Sequence, residues 1–190
     1  MKAINAKGSL SKTIGIVALL GALGNVLSLI STALGNIHPQ IAVDLSHIAT
    51  IMAASMMGSL GGLAVGAISS ITPYVRFGPM GYLGPLVGLL IFPGKAMTGA
   101  FAGALIKKFR RPSISLLVGY IPESVFTWLS FKVWIPLLLP EISQWITDPI
   151  VYGILIKAWV EILIIAALSE KLVPRVCDVV GDCLIKHLSD

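Results

Sequence analysis

Residues 43–70 read VDLSHIATIMAASMMGSLGGLAVGAISS, an Asp-led apolar run that passes through a glycine-rich turn into a second apolar run. No charged side chain stands between Leu45 and Val75, a stretch of roughly 30 residues where one membrane crossing uses about 20. Its length suits two short helices folded into a hairpin at Gly58, Gly61 and Gly62. Gly58, Gly62, Gly66 and Ser70 recur every fourth position, leaving one face of the second helix without bulk. Another helix backbone can lie close against that face.

The rest of the chain shares this preference for lipid. Of 190 residues, 56% are apolar and 12% charged, against about 25% charged in soluble domains. The fold class is therefore an all-α integral membrane protein, because a backbone crossing lipid must satisfy its own hydrogen bonds. The predicted architecture is a compact bundle of six transmembrane helices, spanning about 13–34, 45–57, 60–74, 93–108, 113–135 and 150–169. The first is too long for the 7 to 15 apolar residues of a signal peptide. Residues 1–12 form an N-terminal tail, 13–170 the membrane domain and 171–190 a C-terminal tail, with a short amphipathic helix expected after Pro174. The 75–92 segment, interrupted by Pro79 and Pro85, reads either as a broken helix or as a loop with a short interfacial piece. Pro122 predicts a kink in the fifth span.

Charge orients the bundle. Lys2, Lys7, Lys12, Lys107, Lys108, Arg110, Arg111, Lys171, Arg175 and Lys186 are ten of the fourteen basic residues, and they gather at one end of the predicted spans. The positive-inside rule then puts both termini in the cytoplasm, in a multi-pass protein of the cell membrane. Cys177 and Cys183 have no companion Cys or His pair at metal-ligand spacing, and read as reduced and structural.

Ionisable groups inside spans cost roughly 3 kcal/mol or more at the bilayer centre, so each asks for a partner, a wet cavity or a function. Lys95, Lys132 and Lys157 fall in the outer half of their spans; Glu123 and Glu161 fall nearer the middle. Lys157 and Glu161 stand four residues apart and can pair along one helix face, while Lys132 can extend its ammonium to the interface. The sharper reading is a pocket open to the outside, lined by these cations and by Trp128, Trp134, Tyr152 and Trp159, that holds a small aromatic or carboxylated ligand.

Several chemistries find no support in the sequence. Gly88 to Ala96 is a near miss for a phosphate loop, with five residues where four are needed before Gly94-Lys95, and with Ala96 in place of the magnesium-binding hydroxyl. No HExxH, GxSxG or paired-cysteine motif appears. Asp44 and His47 are the one pair an embedded enzyme could use; two ligands do not make a metal site, and Asp44 suits capping of the following helix. No catalytic residue, metal or cofactor is expected.

With these residues in view, the chain resembles the substrate-binding S component of an energy-coupling factor (ECF) vitamin transporter. The resemblance covers about residues 10–170 and rests on six short spans, the Ala18 and Ala22 pair in the first helix, the VDLSHIATIMAA start of the second, the Gly58 to Gly66 hairpin, and PGKAMTGAFAGALIKK in the fourth. It implies a vitamin or related micronutrient bound in the outer half of the bundle beneath a lid at Gly35 to Val43. It also implies a transmembrane T subunit docking on Ala18 and Ala22, and two ATPase subunits that supply the work. Members handling nickel or cobalt begin Met-His, whereas this chain begins Met1-Lys2. The expected substrate contacts are Lys95, Trp128, Lys132, Tyr152, Lys157, Glu161 and Asn36, and the three lysines point to an anionic vitamin. A small self-sufficient carrier or channel is the alternative.

Overall fold

A computed structural model describes residues 6–33, 36–38, 41–42, 44–81, 83–144, 146–180 and 183–184. Helix α1 (Ala6–Ala33) leads to an antiparallel ribbon of β1 (Asn36–His38) and β2 (Ile41–Ala42), in which Asn36 faces Ala42 and His38 faces Ile41. There follow α2 (His47–Ile68), α3 (Ile71–Phe77), α4 (Gly84–Gly88), α5 (Ile91–Phe109) and α6 (Pro112–Leu129). A π-helical turn, Ser130–Trp134, joins α6 to α7 (Ile135–Leu138), and α8 (Pro140–Ser143) precedes α9 (Asp148–Val180).

Among the described residues, five segments are apolar and long enough to cross a membrane: Leu10–Ser31, His47–Phe77, Gly84–Phe109, Pro112–Leu138 and Asp148–Val180. The second is folded on itself. Gly58 has φ 74° and ψ −154° inside α2, a conformation that favours glycine and reverses the chain. A Cβ on Gly62 would lie 3.1 Å from the Cβ of Ala54, although eight residues span about 12 Å along a continuous helix. Gly24 of α1 likewise lies against both Ala49 and Ser69. Arms 47–57 and 59–68 therefore run antiparallel, and the bundle has six transmembrane passes.

The glycine stripe fits the hairpin onto α5. A Cβ on Gly66 would lie 2.5 Å from the carbonyl oxygen of Lys95, one on Gly103 2.5 Å from that of Gly58, and Gly62 and Gly99 meet backbone to backbone between them. Small residues permit this approach where lipid supplies no hydrophobic drive between helices. On the other side, Gly21 and Gly24 of α1 pack against Ile68 and Ser69.

The join between α2 and α3 leaves backbone groups unpaired at membrane depth, and Asn25 meets them. Its Nδ2 donates to the Ile68 carbonyl at 2.8 Å, and its Oδ1 accepts from the Thr72 amide at 2.7 Å. A polar side chain supplied by a neighbouring helix is what a broken transmembrane helix requires. The 75–92 segment is such a broken helix, made of the end of α3, a turn and α4.

Three apolar clusters stack along the bundle. At the end bearing the Lys107 to Arg111 cluster, Leu20, Met52, Met56, Val65, Val173 and Cys177 pack together. Ile51, Ala102, Leu116, Tyr120, Ile162 and Ile165 form the middle, and Leu83, Val87, Phe131, Ile135 and Val151 the far end. Large apolar residues such as Leu19, Leu60 and Ile156 stay exposed, at 70%, 81% and 65%, and form the surface that lipid covers.

Two expectations change at the C-terminus. The last helix does not stop near Ser169 but continues through Pro174 to Val180, because Val173 and Cys177 are buried in the first cluster. Cys177 and Cys183 are joined as a disulfide rather than reduced, and Cys183 lies in the same cluster. Alkylation of the unfolded, unreduced protein should therefore label neither cysteine, and labelling of both would contradict the bond.

The glycine contacts make a direct prediction. Gly99→Leu should destabilise the bundle by about 1–3 kcal/mol or more, the usual cost of overpacking, and lower its thermal midpoint in detergent. Gly15→Leu should change little, because a Cβ there meets nothing within 4 Å.

Candidate functional site

Because arm 47–57 is short, the chain before it enters the bundle with polar backbone exposed to the interior. Hydrogen bonds hold it there. The Asp44 amide donates to Glu161 Oε1 at 2.9 Å, the Leu45 amide to Ser31 Oγ at 3.0 Å, and the Ser46 amide to Asp44 Oδ1 at 3.0 Å. Asp44 thus closes a turn two residues long at the start of α2 rather than capping it, and Ser46 occupies the cap position.

The Asp44 carboxylate pairs with Lys95 Nζ, which also donates to Ser46 Oγ. Lys95 is only 4% exposed, so both charges are out of water and depend on each other. Burial pushes the Asp44 carboxyl up, but Lys95 and His47, with hydrogen bonds from Lys95 and the Ser46 amide, hold it well below the usual carboxylate range. With its folded-state value depressed, the stabilisation is present above the ordinary carboxylate range and lost only as pH falls through the lowered value.

Around this pair lies a cavity of about 170 Å³, where about 10–15 Å³ by this measure admits one water. Its polar wall carries Asp44, His47, Lys95, Glu123, Lys157 and Glu161; its apolar wall includes Phe77, Leu83, Val87, Tyr120, Phe126 and Phe131. Each element contributes by helical spacing. Lys95 stands one turn before Thr98 on α5, Tyr120 one turn before Glu123 on α6, and Lys157 one turn before Glu161 on α9. Thr98 Oγ1 donates to Glu123 Oε2 at 2.5 Å, and Lys157 Nζ pairs with Glu161 Oε2 at 2.7 Å. Tyr120 stacks edge-on against Trp159, whose Nε1 donates to Ser124 Oγ at 3.0 Å.

The cavity sits between the middle and far apolar clusters, and β2 packs on α9 beside it. On its other side the two arms of α2 and α5 close up backbone to backbone through Gly62, Gly99, Gly58 and Gly103. Among the described residues it is a pocket toward one end of the bundle. With 90% of this chain and 98% of its own covered, a solved structure of the S component of a bacterial ECF transporter superposes with a TM-score of 0.63 at 22% sequence identity. This chain has the ECF S-component fold. No family model matches the sequence, and no curated protein matches it.

Within the S-component fold the sequence-predicted residues separate. Lys95, Lys157 and Glu161 line the cavity together. Trp128 and Tyr152 are 39% and 48% exposed and lie off its wall. Lys132 pairs with Asp148 at the far end, also away from the wall. The side chain of Asn36 falls outside the described residues. Sequence reasoning left out Glu123, Tyr120, Phe126 and Phe131 as cavity-lining residues, and Thr98 as the partner of Glu123. Glu123 carried a signal, being an acid inside a span, and Thr98 and Tyr120 were each one turn from a charged residue.

Removing one member of a buried pair leaves the other charge uncompensated, at about 3–5 kcal/mol. Lys95→Met should therefore lower stability by that order and release the start of α2. Adding Asp44→Asn should recover part of the loss, and thermal unfolding of the two variants in detergent checks both statements.

Proposed function

We propose that this protein is the membrane-embedded, substrate-binding subunit of an ECF-type uptake system. The cavity's place in the fold supports this reading: a small polar and aromatic pocket at one end, with tightly packed glycine backbone beside it. A binding subunit needs a pocket that can hold a small molecule, and this cavity supplies one. The positive-inside rule puts the pocket on the outer side, with both termini cytoplasmic. The occupant is a vitamin or related micronutrient; the lid expected at Gly35 to Val43 lies largely outside the described residues.

Such a subunit must hand its ligand to a partner that supplies energy. The outward face of α1 suits that contact, because Gly15 has open space beside it and Ala18 and Ala22 are exposed, so a partner helix can approach closely. The proposed partners are a transmembrane T subunit and two ATPase subunits, and the chain itself hydrolyses nothing. Lys95, Lys157 and Glu161 are the proposed substrate contacts retained on the cavity wall.

The first test is to purify the chain in mild detergent, denature it and identify any released small molecule by mass spectrometry. A dissociation constant near 1 nM corresponds to roughly 12 kcal/mol, and slow release retains such a ligand through purification. A stoichiometric micronutrient is the expected result. Uptake by this chain alone in proteoliposomes would instead favour a self-sufficient carrier. Ala22→Trp and Ala18→Trp should each remove transport and assembly with the T subunit while leaving ligand binding intact.

A further inference from the structure

The charge balance of the cavity bears on what it accepts, given that it binds a small molecule as proposed above. Lys95 is held by Asp44 and Ser46, Lys157 by Glu161, and Lys132 by Asp148 outside the cavity. Each of the three lysines that pointed to an anionic ligand already has a carboxylate partner. The cavity wall instead carries three carboxylates, Asp44, Glu123 and Glu161, against two lysines. Acid is in excess by one.

That excess resides in Glu123. The residue is 9% exposed and lines the cavity, and its Oε2 is engaged by Thr98. Its Oε1 lies 3.9 Å from His47 Nε2, beyond hydrogen-bond reach. Among the described residues Glu123 has no lysine or arginine partner. Room has been made for it: Gly94 faces it on α5, and a Cβ there would come within 3.6 Å of Oε1. With Oε2 taken by Thr98, Oε1 is the oxygen open to an occupant of the cavity, and a donor placed there makes a charge-assisted hydrogen bond. The aromatic residues Tyr120, Phe126 and Phe131 also line the cavity, and aromatic faces attract cations.

We infer that the pocket takes a small, partly aromatic molecule that presents a positively charged or N–H-donating group to Glu123 Oε1, and that it discriminates against carboxylates. The donor completes the unmatched oxygen, while Thr98 keeps the carboxyl aimed into the cavity and Lys95, Lys157 and their acids preserve a neutral frame. A carboxylate in the same place would face three acids with both lysines already taken. The site selects by the sign and direction of one hydrogen bond.

The test measures ligand binding to the full-length chain in detergent by thermal shift and equilibrium dialysis. The probes are graded by charge: thiamine and pyridoxamine as cations, pyridoxine, nicotinamide and riboflavin as neutral molecules, and nicotinate, pantothenate, biotin and 4-pyridoxate as anions. Any molecule released from the purified protein joins the panel. The tightest binder should be a cation or N–H donor, and its affinity should fall at least about tenfold in Glu123→Gln, which removes a charge-assisted hydrogen bond. Glu123→Asp, which keeps the charge, should retain the preferred order. Tightest binding by an anion, or an affinity unchanged in a folded Glu123→Gln variant, would overturn the inference and leave the binding-subunit reading standing. If Glu123→Gln does not fold, the charge order on the unaltered chain decides alone. Absence of both a released molecule and any binding probe would remove this inference and the proposed function together.

Discussion

The contact on which the structure depends is the backbone approach of the α2 hairpin to α5. Gly62 against Gly99, with Gly66 against the Lys95 carbonyl one turn along, leaves no room for side chains between the helices. The reversal at Gly58 then returns the chain so that arm 47–57 lies beside the same stretch of α5. The start of α2 is thereby delivered to Lys95, and the pairing of Asp44 with Lys95 follows from packing several residues away. A bulky residue in the stripe would separate the helices and leave both charges without partners.

The same economy governs the other polar groups. Asn25 completes the broken joint between α2 and α3, Ser31 receives the Leu45 amide, and Glu161 serves Lys157 and the Asp44 amide together. In hydrocarbon an unmatched polar group costs several kcal/mol, so the bundle meets most of its demands internally. Against that background a carboxyl oxygen left open beside a cavity is informative. Glu123 presents such an oxygen on the cavity wall, with only its Oε2 engaged by Thr98.

The membrane class, the hairpin at Gly58 and the Lys157 to Glu161 pair were legible in the residues, because each rests on local rules of length, backbone freedom or helical spacing. Helix rotation was not. In a membrane bundle the face toward lipid and the face toward the core are both apolar, so periodicity does not say which way Trp128 or Tyr152 turns. Pro174 suggested an end to the last helix, yet burial of Val173 and Cys177 outweighs the one hydrogen bond a proline removes. The disulfide was hidden because compartment statistics, rather than proximity, guided the reading of Cys177 and Cys183.

By itself the sequence determined that this chain crosses a membrane as short helices, where glycine lets two of them touch, and which ionisable residues need an explanation. Those conclusions follow from solvent preference and local geometry, which act within a few residues. Only the tertiary structure decided which charges meet. Lys95 finds Asp44 across 51 residues, and three apparently available lysines become three occupied ones. Charge compensation acts over a few ångströms in space, and the chain order of the partners carries no record of it.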